Sequence, residues 1–196
     1  EFLLDADTGA FHFIEVNPRI QVEHTVTEQV TGIDLVRAQI TISQGAAIGV
    51  PGAAVPPQEA LRLNGHALQC RVTTEDPEKN FSPDYGRLSN YRSTGGFGVR
   101  LDSGTAYSGA VITPYYDSLL VKVTSWGMSS DDAISRMGRC LREFRIRGVA
   151  TNINFLQAVL EDPIFASGDL STHFIDERPE LTQTRGSRDR GTKVVQ

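Results

Sequence analysis

Two short apolar runs, at 2–4 and 11–14, flank the turn residues ADTG at 6–9, and this pattern predicts a β-hairpin. A three-residue loop over 7–9, with Gly9 left-handed, would pair Ala6 with Ala10. In that register Leu3 faces Phe13 and Glu1 faces Glu15. Alternate residues of a strand share a face. Glu1, Glu15, Asn17, Arg19, Gln21 and Glu23 are therefore expected on one side. Phe2, Leu4, Ile14, Val16, Ile20 and Val22 are expected on the other, in a core. Pro18 cannot donate to a ladder, so the second half reads as an edge or a lone extended segment.

Beyond Glu23 the period changes. Thr25 and Glu28 fit a capping box, and Gly32 ends the short helix they open. Asp34 can cap a second helix, apolar at Leu35, Val36, Ile40 and Ile42 and stopped at Gly45. Both are expected to pack on the hairpin's apolar face. Residues 45–61 are rich in Gly, Ala and Pro and read as a connector. Short strands follow at 67–73, 86–92, 99–101 and 119–124. Ser130 then caps a long helix, with Asp131 and Asp132 in its first turn and Ile134, Met137, Leu141 and Phe144 on one buried face. Arg142, Arg145 and Arg147 suit its C-terminal end, with Gly148 as the stop. A further helix starts at Thr151, carries Ile153, Leu156, Val159 and Leu160, and ends before Pro163. The whole reads as α+β, divided into 1–60, 61–178 and a polar tail or linker at 179–196.

Composition adds bounds. With 39% hydrophobic and 22% charged residues, the chain is of ordinary globular make-up, and a net charge of −5 argues against a general nucleic-acid binder. No apolar run approaches the roughly 20 residues that cross a bilayer. The two cysteines, Cys70 and Cys140, fall in apolar patterns and read as reduced core thiols of an intracellular protein. The chain opens inside a strand pattern, with no leader-like segment, and reads as a piece of something longer.

The chemistry gathers at the start. Two opposed carboxylates repel on a sheet, and a hard divalent cation removes the objection. Glu1, Glu15 and the Asn17 amide suit magnesium or manganese beside phosphate oxygens. Arg19 can grip an oxyanion bidentately, Gln21 can donate to one, and Glu23 can take a proton. Together they suggest phosphoryl chemistry beside an oxyanion. The competing reading is a solvated hairpin face. Farther on, GGFGVR at 95–100 is a flexible approach to Arg100; taken alone it reads as a turn before a strand. His12 and His66 fall in strand patterns, and His24 abuts the candidate base.

The run FIEVNPRIQVEHTVTE resembles the metal and bicarbonate segment of biotin carboxylases, members of the ATP-grasp superfamily. The resemblance extends over nearly the whole chain. It implies the C-terminal part of an ATP-grasp lobe, followed by a small antiparallel β and helical biotin carboxylase C-terminal subdomain. Glu1, Glu15 and Asn17 match metal ligands. Arg19, Gln21 and the Val22 N–H match bicarbonate-binding groups, and Glu23 matches the base that deprotonates bicarbonate. Leu3 matches an apolar residue under the adenine of ATP, and His173 lies near an adenine-side segment. GGFGVR matches the segment whose arginine, here Arg100, stabilises the enolate form of biotin; YYDSLLVKV at 115–123 also matches.

The resemblance implies ATP- and bicarbonate-dependent carboxylation of biotin, an ATP-dependent ligase activity with biotin, ATP and Mg2+ or Mn2+ as cofactors. A biotinylated carrier domain would be a partner. The run FRIRGVATN at 144–152 and the tail favour a parent that carboxylates pyruvate to oxaloacetate. An acyl-CoA acceptor, or a non-catalytic dimerisation module, is the alternative. Homo-oligomers follow from the same resemblance: paired biotin carboxylase domains, and a tetramer for the full enzyme. So does a cytoplasmic location in a bacterium or a mitochondrial matrix one in a eukaryote. An acetyl-CoA activator would suit Arg145, Arg147, Arg188 and Arg190 at the junction with a following domain; the tail's basic run Arg185, Arg188, Arg190 and Lys193 otherwise reads as solvated. The phosphate-gripping lid and lysines are expected upstream, so this piece alone should be inactive.

Overall fold

A computed structural model describes residues 1–104 and 106–183. The chain divides into two compact units, Glu1–Leu63 and Asn64–Gln196.

The first unit opens with the hairpin of β1 (Phe2–Leu4) and β2 (Phe11–Phe13). Its register differs by one from the expected one: Phe2 faces Phe13, Leu3 faces His12 and Leu4 faces Phe11. The cause lies in the turn. Asp5 N–H donates to Ala10 O and Gly9 N–H to Asp5 O, so the loop holds four residues and closes on Asp5. The Asp5 carboxylate accepts the N–H groups of Asp7 and Thr8, at 2.9 and 3.0 Å, which draws Ala6 into the loop. Gly9 takes the left-handed conformation, φ +71°, as expected. A one-residue slip changes every facing pair. Glu1 now faces Ile14, whose N–H donates to the Glu1 carbonyl.

The apolar face does not enter a core. Phe2 packs its ring edge-on against Phe11 and Phe13, with centroids 5.7 and 5.8 Å away. Phe13 is nonetheless 63% exposed, and Leu4, Ile14, Val16 and Ile20 are exposed too. Nor does the strand continue beyond Phe13. Arg19 N–H donates to Asn17 O across Pro18, a tight turn, so the alternation expected through Glu23 is broken.

Helix α1 (His24–Thr31) starts one residue before the expected cap. Thr25 is not a cap but a fully buried residue inside the first turn. Glu28 reaches forward along the chain. Its Oε1 accepts the Leu35 N–H at 2.8 Å, and Oε2 lies 3.1 Å from His24 Nδ1, so it ties α1 to the start of the next helix. Gly32 ends α1 with a left-handed residue, as expected. Helix α2 (Leu35–Ser43) is capped by Asp34, whose Oδ1 accepts the Arg37 N–H at 2.8 Å. Val36, Ile40 and Ile42 remain exposed, so this face does not pack on the hairpin as expected.

The second unit is built on β3 (His66–Thr73), with short strands β4 (Glu75–Asp76), β5 (Ser82–Pro83), β6 (Gly86–Arg87) and β7 (Asn90–Arg92) following. Then come β8 (Val99–Ser103), β9 (Val111–Ile112) and β10 (Leu119–Gly127). The main sheet has the order β3-β10-β8, all antiparallel. Val123 faces Cys70 on one side and Leu101 on the other. This row and Val121 and Val72 pack against helix α3 (Ser130–Glu143) through Met137, Cys140 and Leu141, each at most 1% exposed. Ser129, not Ser130, caps α3, its Oγ accepting the Asp132 N–H. The helix also stops sooner than expected. Buried Phe144 turns the backbone extended, and β11 (Arg145–Arg147) pairs with β7. Gly148, φ +103°, lies so close to the Arg87 carbonyl that no side chain fits there.

Helix α4 (Ile153–Glu161) follows buried Asn152, whose side chain accepts the Thr73 N–H at 3.0 Å and donates to Arg71 O at 2.9 Å. Helix α5 (Pro163–Ser167) is capped by Asp162. Phe155, Phe174 and Leu181 make a second apolar cluster, so the start of the polar stretch after 178 is anchored by a buried leucine. Both cysteines are free and buried. Burial, then the neighbouring Cys140, pushes the Cys70 thiol up to about 12.

Candidate functional site

The glutamates meet despite the shifted register. The Glu15 carboxyl is held below the usual carboxylate range, first by a hydrogen bond with the Glu1 side chain and then by the Asn17 amide. Asn17 Nδ2 donates to Glu15 Oε1 at 3.0 Å. The backbone helps: Glu1 N and the Glu15 carbonyl are 2.6 Å apart. Two carboxylates and an amide oxygen form a hard donor set, suited to magnesium or manganese. Among the described residues no three His, Cys, Asp or Glu side chains gather, so the third protein donor would have to be the amide.

The next four residues do not share a strand face. Arg19 is exposed, with Nη1 3.5 Å from the Ile20 carbonyl. Gln21 and Val22 are half-buried, and Glu23 is exposed at the helix entrance, where its carbonyl accepts the Val26 N–H. The Gln21 Nε2 is buried with no hydrogen-bond partner. An orphaned donor of this kind costs about 1–3 kcal/mol, and an arriving oxyanion would satisfy it. Leu3 is 55% exposed on the hairpin.

Arg100 belongs to the second unit, on β8, directly opposite Thr124 of β10. The glycine approach is held by α3. Arg139 reaches the Gly95 carbonyl at 3.3 Å, and Thr94 Oγ1 donates to Glu143 at 2.7 Å. Arg136 reaches the Trp126 carbonyl and lies over the Phe97 ring. The sequence reading passed over Asp102, which pairs with Arg100. Its signal was there: opposite charges two apart in RLD, at a strand. Tyr115 and Tyr116 are both exposed. His173 is exposed, its backbone N–H donating to Ser171 Oγ. Arg145 is tied to the end of α3, where Nη1 donates to the Arg142 and Phe144 carbonyls. Arg185, Arg188, Arg190 and Lys193 lie outside the described residues.

Residues 69–177 match the biotin carboxylase C-terminal domain family, and residues 1–50 match the carbamoyl-phosphate synthase L chain, ATP binding domain. The chain belongs to the biotin carboxylase C-terminal domain family. Pyruvate carboxylases are among its relatives. It is 52% identical over 195 residues to pyruvate carboxylase of Bacillus subtilis and, likewise, to the mitochondrial pyruvate carboxylase of Homo sapiens. The chain spans only 17% and 16% of those two proteins. Among solved structures, a complete multifunctional pyruvate carboxylase from Rhizobium etli matches 99% of this chain, over 18% of its own length, at 66% identity and TM-score 0.94. A second structure of the Rhizobium etli enzyme is described with the allosteric activator acetyl coenzyme-A. The biotin carboxylase domain of a thermophilic 2-oxoglutarate carboxylase bound to bicarbonate matches at 39% identity and TM-score 0.84, over 92% of this chain and 39% of that one. No helix among the described residues is long and apolar enough to cross a membrane.

Proposed function

We propose that this chain supplies the metal and bicarbonate face and the biotin-side arginine of a biotin carboxylase, within a larger enzyme that carboxylates pyruvate to oxaloacetate. The observation that carries the reading is the convergence of Glu1, Glu15 and Asn17, in a chain 52% identical from end to end to a pyruvate carboxylase. Glu15 with Glu1 and Asn17 would hold magnesium or manganese, which offsets charge on transferring phosphate. Arg19, Gln21 and the Val22 N–H hold bicarbonate for attack on the γ-phosphate of ATP, and Glu23 takes the bicarbonate proton. Leu3 lies under the adenine. His173 is the least supported member of the set. Arg100 binds the ureido oxygen of biotin, where negative charge builds as its nitrogen loses a proton; biotin carries the carboxyl group between sites.

Glu15→Gln in the full-length protein should lower bicarbonate-dependent ATP cleavage by about a hundredfold at limiting magnesium. An unchanged rate would remove the metal assignment. Glu23→Gln should lower kcat with little change in bicarbonate KM, whereas Arg19→Lys should raise that KM. Acceptor identity is read by offering pyruvate, 2-oxoglutarate and an acyl-CoA in turn. The activator reading is narrower. Arg145 donates to two carbonyls at a helix end, and the test is made on the tail pair. Arg188→Ala with Arg190→Ala should raise the acetyl-CoA concentration needed for activation. Paired biotin carboxylase domains and a biotinylated carrier domain complete the assembly.

A further inference from the structure

Arg100 donates from Nε to Asp102 Oδ2 at 2.8 Å and from Nη2 to Asp102 Oδ1 at 2.9 Å, a side-on bidentate pair. The side chains are 31% and 27% exposed. They leave the same face of β8 because they stand two residues apart. Lys122 of β10 is directly opposite Asp102, and Arg71 of β3 is directly opposite Lys122. Asp102, Lys122 and Arg71 therefore stand in one register row across the sheet, with Arg100 two residues away on β8. Contacts from α3 hold the preceding loop: Arg139 reaches the Gly95 carbonyl, Glu143 accepts from Thr94, and Arg136 lies over Phe97.

We propose that Asp102 is a positioning residue for biotin carboxylation: its fork fixes the plane of the Arg100 guanidinium so that the opposite edge meets the ureido oxygen of biotin. The inference rests on the reading of Arg100 given above and adds the group that makes that arginine effective. An arginine side chain has several rotatable bonds, and each rotamer away from the productive one lowers the fraction of enzyme able to hold the oxyanion. A two-bond fork to a carboxylate on the same strand removes most of that freedom before substrate arrives.

The test is a double-mutant cycle in the full-length carboxylase, read as the increase in ATP cleavage on adding free biotin, relative to the biotin-free rate of the same sample. Asp102→Asn keeps the shape but turns an N–H toward the guanidinium. It should lower kcat/KM for biotin about tenfold, chiefly through KM. Asp102→Glu keeps the fork and should stay within about threefold of the parent. In an Arg100→Ala background, Asp102→Asn should cost nothing further. An additive cycle, or a Glu variant as poor as the Asn variant, overturns the positioning role and leaves the Arg100 reading standing. Undiminished biotin stimulation in Arg100→Ala overturns both.

Discussion

The two units of this chain are organised in opposite ways. In Asn64–Gln196 the sheet β3-β10-β8 and helix α3 enclose Val72, Val121, Val123, Met137 and Leu141, all shielded from water. In Glu1–Leu63 only Thr25 and Ala38 are buried, while Phe2, Leu4, Phe11 and Phe13 present an exposed aromatic and aliphatic face. Burial of apolar area is the main favourable term in folding, so the second unit carries its own stability and the first does not. The metal-side residues are held mainly by turns and local hydrogen bonds. Arg100 is held by a sheet with a core beneath it.

Separating the units breaks the comparison most directly. Residues 64–196 alone should melt cooperatively, and residues 1–63 alone should show no cooperative transition by calorimetry. A cooperative melt of 1–63 would mean that the hairpin and helices support one another. The contrast sharpens with single truncations. Leu141→Ala removes a fully buried side chain and should cost about 3 kcal/mol in denaturant unfolding. Phe13→Ala, on an exposed face, should cost less than about 0.5 kcal/mol in this chain.

Legibility in the sequence followed the same divide. The strands at 66–73 and 119–127 and the α3 stripe were readable because alternation and a helical period both end on a real core. The hairpin was recognised, but its register was missed. Asp5 caps the N–H groups of Asp7 and Thr8, and a side chain that recruits its neighbours into a turn shifts every later pair. The extended reading of 15–23 failed at Pro18, where a turn resets the faces. Even so, Glu1, Glu15 and Asn17 came together, because local hydrogen bonds achieve what the register did not. Roles for Arg19, Gln21 and Glu23 were legible only through resemblance to a family. Asp102 was missed because the GGFGVR motif ends at Arg100, two residues short of it.

The buried thiol tests the second unit at a chemical level. The Cys70 pKa rises from 9.0 to about 12 in the folded chain. The folded state therefore keeps the proton that the unfolded state gives up. This contribution to stability is fully present below pH 9 and is lost as pH climbs toward 12. Between pH 8 and 10 the loss should be about 1 kcal/mol by denaturant titration. Alkylation of Cys70 should proceed only as fast as the unit opens. Rapid labelling of native protein at pH 8 would place Cys70 outside the core.

A last contrast compares the two units at the same kind of feature. Asp34 caps α2 and Ser129 caps α3, each accepting one helical N–H from its side chain. Loss of such a cap costs about 1 kcal/mol when the helix is part of the cooperative unit. Ser129→Ala should therefore lower the midpoint of the main unfolding transition by about 1 kcal/mol equivalent. Asp34→Ala should leave that transition in place and instead speed amide exchange in α2, because a weakly buried unit opens locally without unfolding the rest. Hydrogen exchange on both variants separates the cases. If Asp34→Ala shifts the main transition as much as Ser129→Ala does, the first unit is coupled to the core, and its exposed hairpin face is not the measure of its stability.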